Sequence, residues 1–97
     1  EEPPSTEVDE LRAELALIRE ARQALHAERP EGALEVLDAH MRAFPHGQMR
    51  EDREVLRIEA LCAAGKAPQA RAEARLFLRA FPGSAHAKRV RSICAEP

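Results

Sequence analysis

"RAFPHGQ" at residues 42 to 48 and "RAFPGSA" at residues 79 to 85 begin with the same four letters, and the reading of that repetition decides the fold. Proline disfavours the helical conformation in the residue before it, so a helix must stop at Phe44 and again at Phe81, and Gly47 relaxes the backbone for the first turn. Upstream of each stop the apolar residues recur at helical spacing. Ala33, Val36, Leu37, His40, Met41 and Phe44 form the inner face of one helix, which Pro30 can open because its missing N–H has no intrahelical partner in a first turn. Ala70, Ala74, Phe77, Leu78 and Phe81 form the inner face of another, opening near Pro68.

Each of these helices has one before it. Val8, Leu11, Leu15, Ile18 and Leu25 lie on one face of a helix over roughly 7 to 28, with Thr6 and Asp9 arranged as a capping box that has Asp in place of Glu. Val55, Ile58, Leu61 and Cys62 mark a helix over about 49 to 64, closed by Gly65 as a left-handed cap. After the second stop, Ser84 is the expected N-cap of a fifth helix reaching Cys94 or Ala95, with Ala87, Val90 and Ile93 or Cys94 inward and Lys88, Arg89 and Arg91 outward.

Composition agrees with helices packed through small side chains: alanine is abundant, Trp and Tyr are absent, and arginine outnumbers lysine thirteen to two in a chain of 97 residues, the size of one domain. The formal net charge of -2 hides a polarity. Glu1, Glu2, Glu7, Asp9 and Glu10 make the start acidic, whereas Lys66 to Arg91 carries seven basic residues against the single acid Glu73. That field is too mild and too dispersed for nucleic acid or an anionic membrane surface to be the expected partner. No long apolar run is present, so neither a membrane span nor a signal peptide is read. "EEPPSTE" has the composition of a solvated linker, and a first residue other than Met makes a processed piece of a longer protein the expectation.

Aligned on their prolines, Ala33 to Pro45 matches Ala70 to Pro82 without a gap, and "ALHAERP" at 24 to 30 matches "ALCAAGK" at 60 to 66, an offset of 36 to 37 residues. This unit of helix, short turn and helix resembles the tetratricopeptide repeat (TPR), typically about 34 residues long. Ala33 or Ala70 lies twelve residues before the closing proline, as in the TPR pattern, and Gly65 lies five residues before Ala70. The large aromatic of the pattern's first helix is absent, and Ile58 stands where that pattern is often small. "FLRAFPGSAHAKRV" looks most like bacterial extracytoplasmic modules of this type, which serve in envelope assembly and scaffolding.

The resemblance implies an all-α, right-handed array of five helices. After a linker at 1 to 6, a single domain over 7 to 97 divides into repeat one (about 9 to 45), repeat two (about 48 to 82) and a capping helix (about 84 to 95). In such arrays the first helices of the units line one concave surface. Here its exposed positions would include Arg22, His26, Arg50, Arg57, Glu59, Arg89 and Arg91, which could equally be no more than a solvated helical face. Because guanidinium groups hold carboxylates through paired hydrogen bonds, an acidic peptide or chain terminus is the expected ligand. The expected function is a protein-binding or scaffold module, part of a larger bacterial envelope protein in the periplasm, with the cytoplasm as the other location. The alternative is homo-oligomerisation through exposed helical ends.

Little chemistry is legible. Aligning "RIEALC" with "RVRSIC" puts Cys62 and Cys94 at corresponding places, with His26 at the same place in the first helix. A disulfide, two buried thiols that never meet, and a metal site all remain open; side chains related by a repeat translation point the same way, which argues against a bridge unless twist intervenes. Metal-ligand spacing is missing. His40 sits on an apolar face as an interior residue, His46 and His86 lie near turns, and Arg71, Arg75 and Arg79 form an outer stripe without the aromatic residues that nucleic acid would need. Neither a catalytic group nor a cofactor site is expected.

Overall fold

A computed structural model describes residues 6–95. They form five helices and no strand: α1 (Thr6–His26), α2 (Pro30–Ala43), α3 (Arg50–Ala63), α4 (Ala67–Ala80) and α5 (Ala87–Ser92). The linker expected over 1 to 6 falls outside these residues except for Thr6, which is itself helical and so does not cap α1 from outside.

Consecutive helices run antiparallel. Ala24 of α1 meets Ala33 of α2, while Glu14 meets His40 at the other end. Asp38 of α2 meets Arg57 of α3, which also holds Glu73 of α4. Alternate helices run parallel, with Asp52, Glu59 and Cys62 of α3 meeting His86, Arg89 and Cys94 in turn along α5 and just beyond it. Ala33, Ala60 and Ala70 are fully buried, and side chains this small let helix axes approach closely. The larger apolar side chains gather in two clusters, one with Ile18, Ala21, Leu37 and Leu56 and one with Val55, Ile58, Leu61, Phe77 and Val90, and half-buried Leu25 and Leu34 join them to the small cluster of Ala24, Ala33 and Ala60.

Two residues expected inside lie half outside. Val8 is 48% exposed because α1 has 21 residues against the 14 of α2, so its first turns project past their partner. Met41 is 50% exposed because neighbouring His40, fully buried, takes the inward position.

The internal repeat is exact in its backbone hydrogen bonds and has a single register of 37 residues. After α1 the amide of Glu28 donates to the Leu25 carbonyl and that of Arg29 to Ala24; after α3, Gly65 donates to Cys62 and Lys66 to Leu61. These paired bonds form the same C-terminal motif twice, with a left-handed residue at Glu28 (φ 60°) and Gly65 (φ 80°). The second stops also agree: Phe44 (φ -136°, ψ 63°) and Phe81 (φ -130°, ψ 62°) leave the helix alike ahead of proline. Each ring packs back one turn in a tilted pair, Phe44 with His40 at 5.7 Å and Phe81 with Phe77 at 5.1 Å. The alignment of 24 to 30 with 60 to 66 is therefore one residue short; the shared Ala-Leu letters drew it out of register. Cys62 corresponds to Leu25 and Cys94 to Arg57, so the two cysteines are not repeat equivalents.

The last helix is shorter than its sequence suggests. Ser84 does not cap it directly: its Oγ accepts the amide of His86 at 3.0 Å, closing a turn, and α5 begins only at Ala87. It ends at Ser92, whose hydroxyl donates to the Arg89 carbonyl, and Ile93 is extended.

A β-carbon at a left-handed position carries a steric cost that glycine avoids. Gly65→Ala should therefore lower stability by about 1 kcal/mol and Glu28→Gly raise it by about 0.5 to 1 kcal/mol, read as opposite shifts of the urea midpoint at unchanged slope. Shifts of the same sign would contradict the shared backbone motif.

Candidate functional site

The most constrained polar group is one the sequence analysis did not select. Glu14, on the core face of α1, is only 3% exposed. Its Oε1 accepts from His40 Nε2 at 3.0 Å and from the Met49 amide at 3.1 Å, and its Oε2 accepts from the Gln48 amide at 3.1 Å. Behind His40, Arg53 Nη1 lies 3.5 Å from Nδ1 and donates to the Phe44 carbonyl at 3.3 Å, while its Nε donates to Glu54 at 2.8 Å. A guanidinium can only donate, so Nδ1 accepts and Nε2 carries the proton directed at Glu14. The chain Glu14, His40, Arg53 thus ties α1, α2 and α3 to the turn between the last two. Gly47 belongs to the same device: a β-carbon there would overlap the Glu14 carboxylate. Its role is close approach rather than backbone freedom. The available signals were an acid amid the apolar positions of α1 and a histidine on the apolar face of α2, but nothing local paired them.

Of the seven residues expected on a common surface, the fold brings four together. Arg22 and His26 of α1, Glu59 of α3 and Arg89 of α5 line a concavity of about 330 Å³ with Leu25, Leu56 and Ala63 among them. Arg89 Nη2 donates to both oxygens of Glu59 at 2.7 Å, leaving Arg22 and His26 exposed on the opposite wall.

The other three lie elsewhere, because each occupies a different side of its helix. Arg57 faces α2 and α4, donating through Nε to Glu73 at 2.7 Å and through Nη1 to Asp38 at 3.0 Å. The hydrogen bond with Glu73 raises its pKa above the ordinary arginine value; burial opposes this, and the charges of Glu73, Asp38 and Glu54 reinforce it. Arg50 stacks over the Phe81 ring, 5.0 Å from its centre, beside a cleft that also contains Met41 and Leu76. Arg91 joins Arg71 and Arg75 around a cleft between α4 and α5.

Cys62 and Cys94 form a disulfide, with Cα atoms 5.8 Å apart, a separation that suits a bridge. The objection from repeat translation fails on two counts: the residues are not equivalent in the 37-residue register, and Cys94 has already left the helix, with φ 53°. Arg71 Nη1 donates to its carbonyl at 3.4 Å. His26 lies in the concavity, whose lining contains neither cysteine. Among the described residues no group of three His, Cys, Asp or Glu stands together as a metal site, and no helix is long and apolar enough to cross a membrane. His46 is exposed at the turn after α2, and His86 Nε2 lies 3.5 Å from Asp52. No protein-family model, curated protein or solved structure matches the chain.

Removing the partner of a buried charge leaves the rest of its network unpaired, so Glu14→Ala should cost about 3 to 5 kcal/mol. Gly47→Ala should cost about 2 to 4 kcal/mol alone, by expelling the carboxylate, yet little more once Glu14→Ala is present. A double-mutant cycle by urea unfolding measures this, and additive costs would rule out the close approach as the cause. Reduction of the disulfide, whose cysteines are separated by 32 positions, should lower stability by about 3 to 4 kcal/mol on the chain-entropy account. Comparing unfolding midpoints with and without a dithiol tests it; coincident midpoints would mean that the bridge does not hold the C-terminal end.

Proposed function

We propose that the chain is a TPR-like module of two repeats and a capping helix that binds an acidic peptide or protein partner in the concavity formed by α1, α3 and α5, without chemistry of its own. The observation that carries the reading is the convergence of Arg22, His26 and Arg89 from two outer helices around a floor containing Leu25 and Leu56. A wall in which Arg22, His26 and the Glu59-bound Arg89 stand beside aliphatic carbons is suited to a segment presenting carboxylates beside an apolar side chain. The 37-residue register and the alternation of antiparallel neighbours support the TPR comparison.

Two further observations support binding over catalysis. His40 is enclosed and engaged on both ring nitrogens by Glu14 and Arg53, so it is not offered to a substrate. His26, in the concavity, has no thiol to activate, since both cysteines are joined to each other. The same bridge supports an oxidising location such as the bacterial periplasm.

The charge on the rim should govern both affinity and its salt dependence. Peptides selected from an acidic library against the intact chain should lose at least about tenfold in affinity on Arg22→Glu with Arg89→Glu, measured by fluorescence anisotropy. Arg50→Glu, on the other side of α3, should leave affinity unchanged. Equal loss from both variants, or no effect of the first, would exclude this concavity as the binding face.

A further inference from the structure

The open cleft between α4 and α5 is the counterpart, one repeat later, of a seat that is filled inside the molecule. Arg71, Ala74, Arg75 and Leu78 of α4 face Arg91 and Ile93 across a space of about 200 Å³. Subtracting the 37-residue register gives Leu34, Leu37, Asp38, Met41, Glu54 and Leu56. On that earlier surface α4 is seated at Leu34 and Asp38, while Leu37 and Leu56 pack with Ile18 and Ala21 of α1. Leu34 packs with the cluster containing Ala70, Ala74 and Phe77, and Asp38 and Glu73 grip Arg57 from opposite helices. The later cleft therefore has the shape of a helix seat, with Ala74 and Leu78 available to a helix that can approach closely.

Its charge is reversed relative to the occupied seat. Arg75 stands in the register of Asp38 and Arg91 in that of Glu54. Both arginines are exposed, and neither has a carboxylate within ion-pair distance among the described residues. The helix that fits must bring acids to the rim and small residues to the floor.

The outer face of α1 has that pattern. Asp9, Ala13, Ala16 and Glu20 follow at steps of four, three and four on the side away from Glu14 and Ile18, and all four are exposed. Steps of this kind align side chains along one stripe of a helix. Glu7, Glu10 and the half-exposed Val8 lie at the same end. The two ends of the molecule are thus opposite in charge, with small side chains on the α1 face and an apolar floor in the cleft.

We propose that the chain associates head to tail with copies of itself, the outer face of α1 from one copy seated in the α4–α5 cleft of the next. Ala13 and Ala16 lie over Ala74, Leu78 and Ile93, and the acids of α1 meet Arg75 and Arg91. Such a contact is heterologous, so it propagates into a chain or closes into a ring, unlike a two-fold dimer. It uses neither Arg22 nor His26 and stands or falls independently of peptide binding in the concavity.

Sedimentation velocity on the full chain, from about 10 μM to about 1 mM and at low and high salt, tests it. The average mass should rise with concentration and fall with salt. Asp9→Lys with Glu20→Lys, and separately Arg75→Glu with Arg91→Glu, should each weaken association at least about tenfold at unchanged helical circular dichroism, since all four positions are exposed. An equimolar mixture of the two variants should associate again, because each then offers an end that the other can accept. A wild-type chain that stays monomeric throughout, association indifferent to either variant, or a mixture that fails to reassociate would each overturn the proposal.

Discussion

The buried carboxylate of Glu14 is the constraint around which the first half of the molecule is arranged. A charge taken out of water must be repaid by donors, and here three come from separate places: a ring nitrogen on α2 and two amides of the turn leading into α3. Meeting all three sets the depth of α1 against α2 and the path of residues 44 to 49. It also requires Gly47, since any side chain there would occupy the space of the carboxylate.

The second repeat meets the same need differently. The amide of His86 is the counterpart of the Met49 amide, and it donates to Ser84 Oγ, where Met49 donates to Glu14. Ser84 stands in the register of Gly47 and Phe77 in that of His40, so the second turn has neither the space nor the ring donor for a buried acid. Beside the apolar packing of Val90 on Val55, Ile58 and Leu61, the polar ties between α3 and α5 are an exposed Arg89–Glu59 pair and a His86–Asp52 contact at 3.5 Å. Exposed pairs contribute at most about 1 kcal/mol each, and six residues of helix do not sustain themselves. The Cys62–Cys94 bridge supplies what the second turn lacks, which explains its position just beyond the shortest helix.

The candidate site was partly legible for an identifiable reason. Arg22, His26, Glu59 and Arg89 could be grouped because they lie on the outer sides of α1, α3 and α5. Arg50, Arg57 and Arg91 were grouped with them by helix alone, and a helix has several sides; Arg57 turned inward to two acids, and the others turned toward α4. The cysteine alignment failed similarly. Matching letters paired Cys62 with Cys94 at an offset of 32 and His26 with Cys62 at one of 36, whereas the hydrogen bonds around Glu28 and Gly65 impose 37.

Alone, the amino-acid sequence determined that this chain is helical, that it breaks at Phe44-Pro45 and Phe81-Pro82, and that its halves repeat. Each of those facts rests on forces between residues a few positions apart: a proline ring against the preceding backbone, a left-handed cap, apolar side chains recurring every three or four residues. Only the tertiary structure decided that Glu14 meets His40 and Met49, that Arg57 is shared by α2 and α4, and that Cys94 turns back to Cys62. Those partners are 16 to 35 positions apart in the chain. Their meeting depends on the rotation of each helix about its own axis, which packing against the neighbouring helices determines.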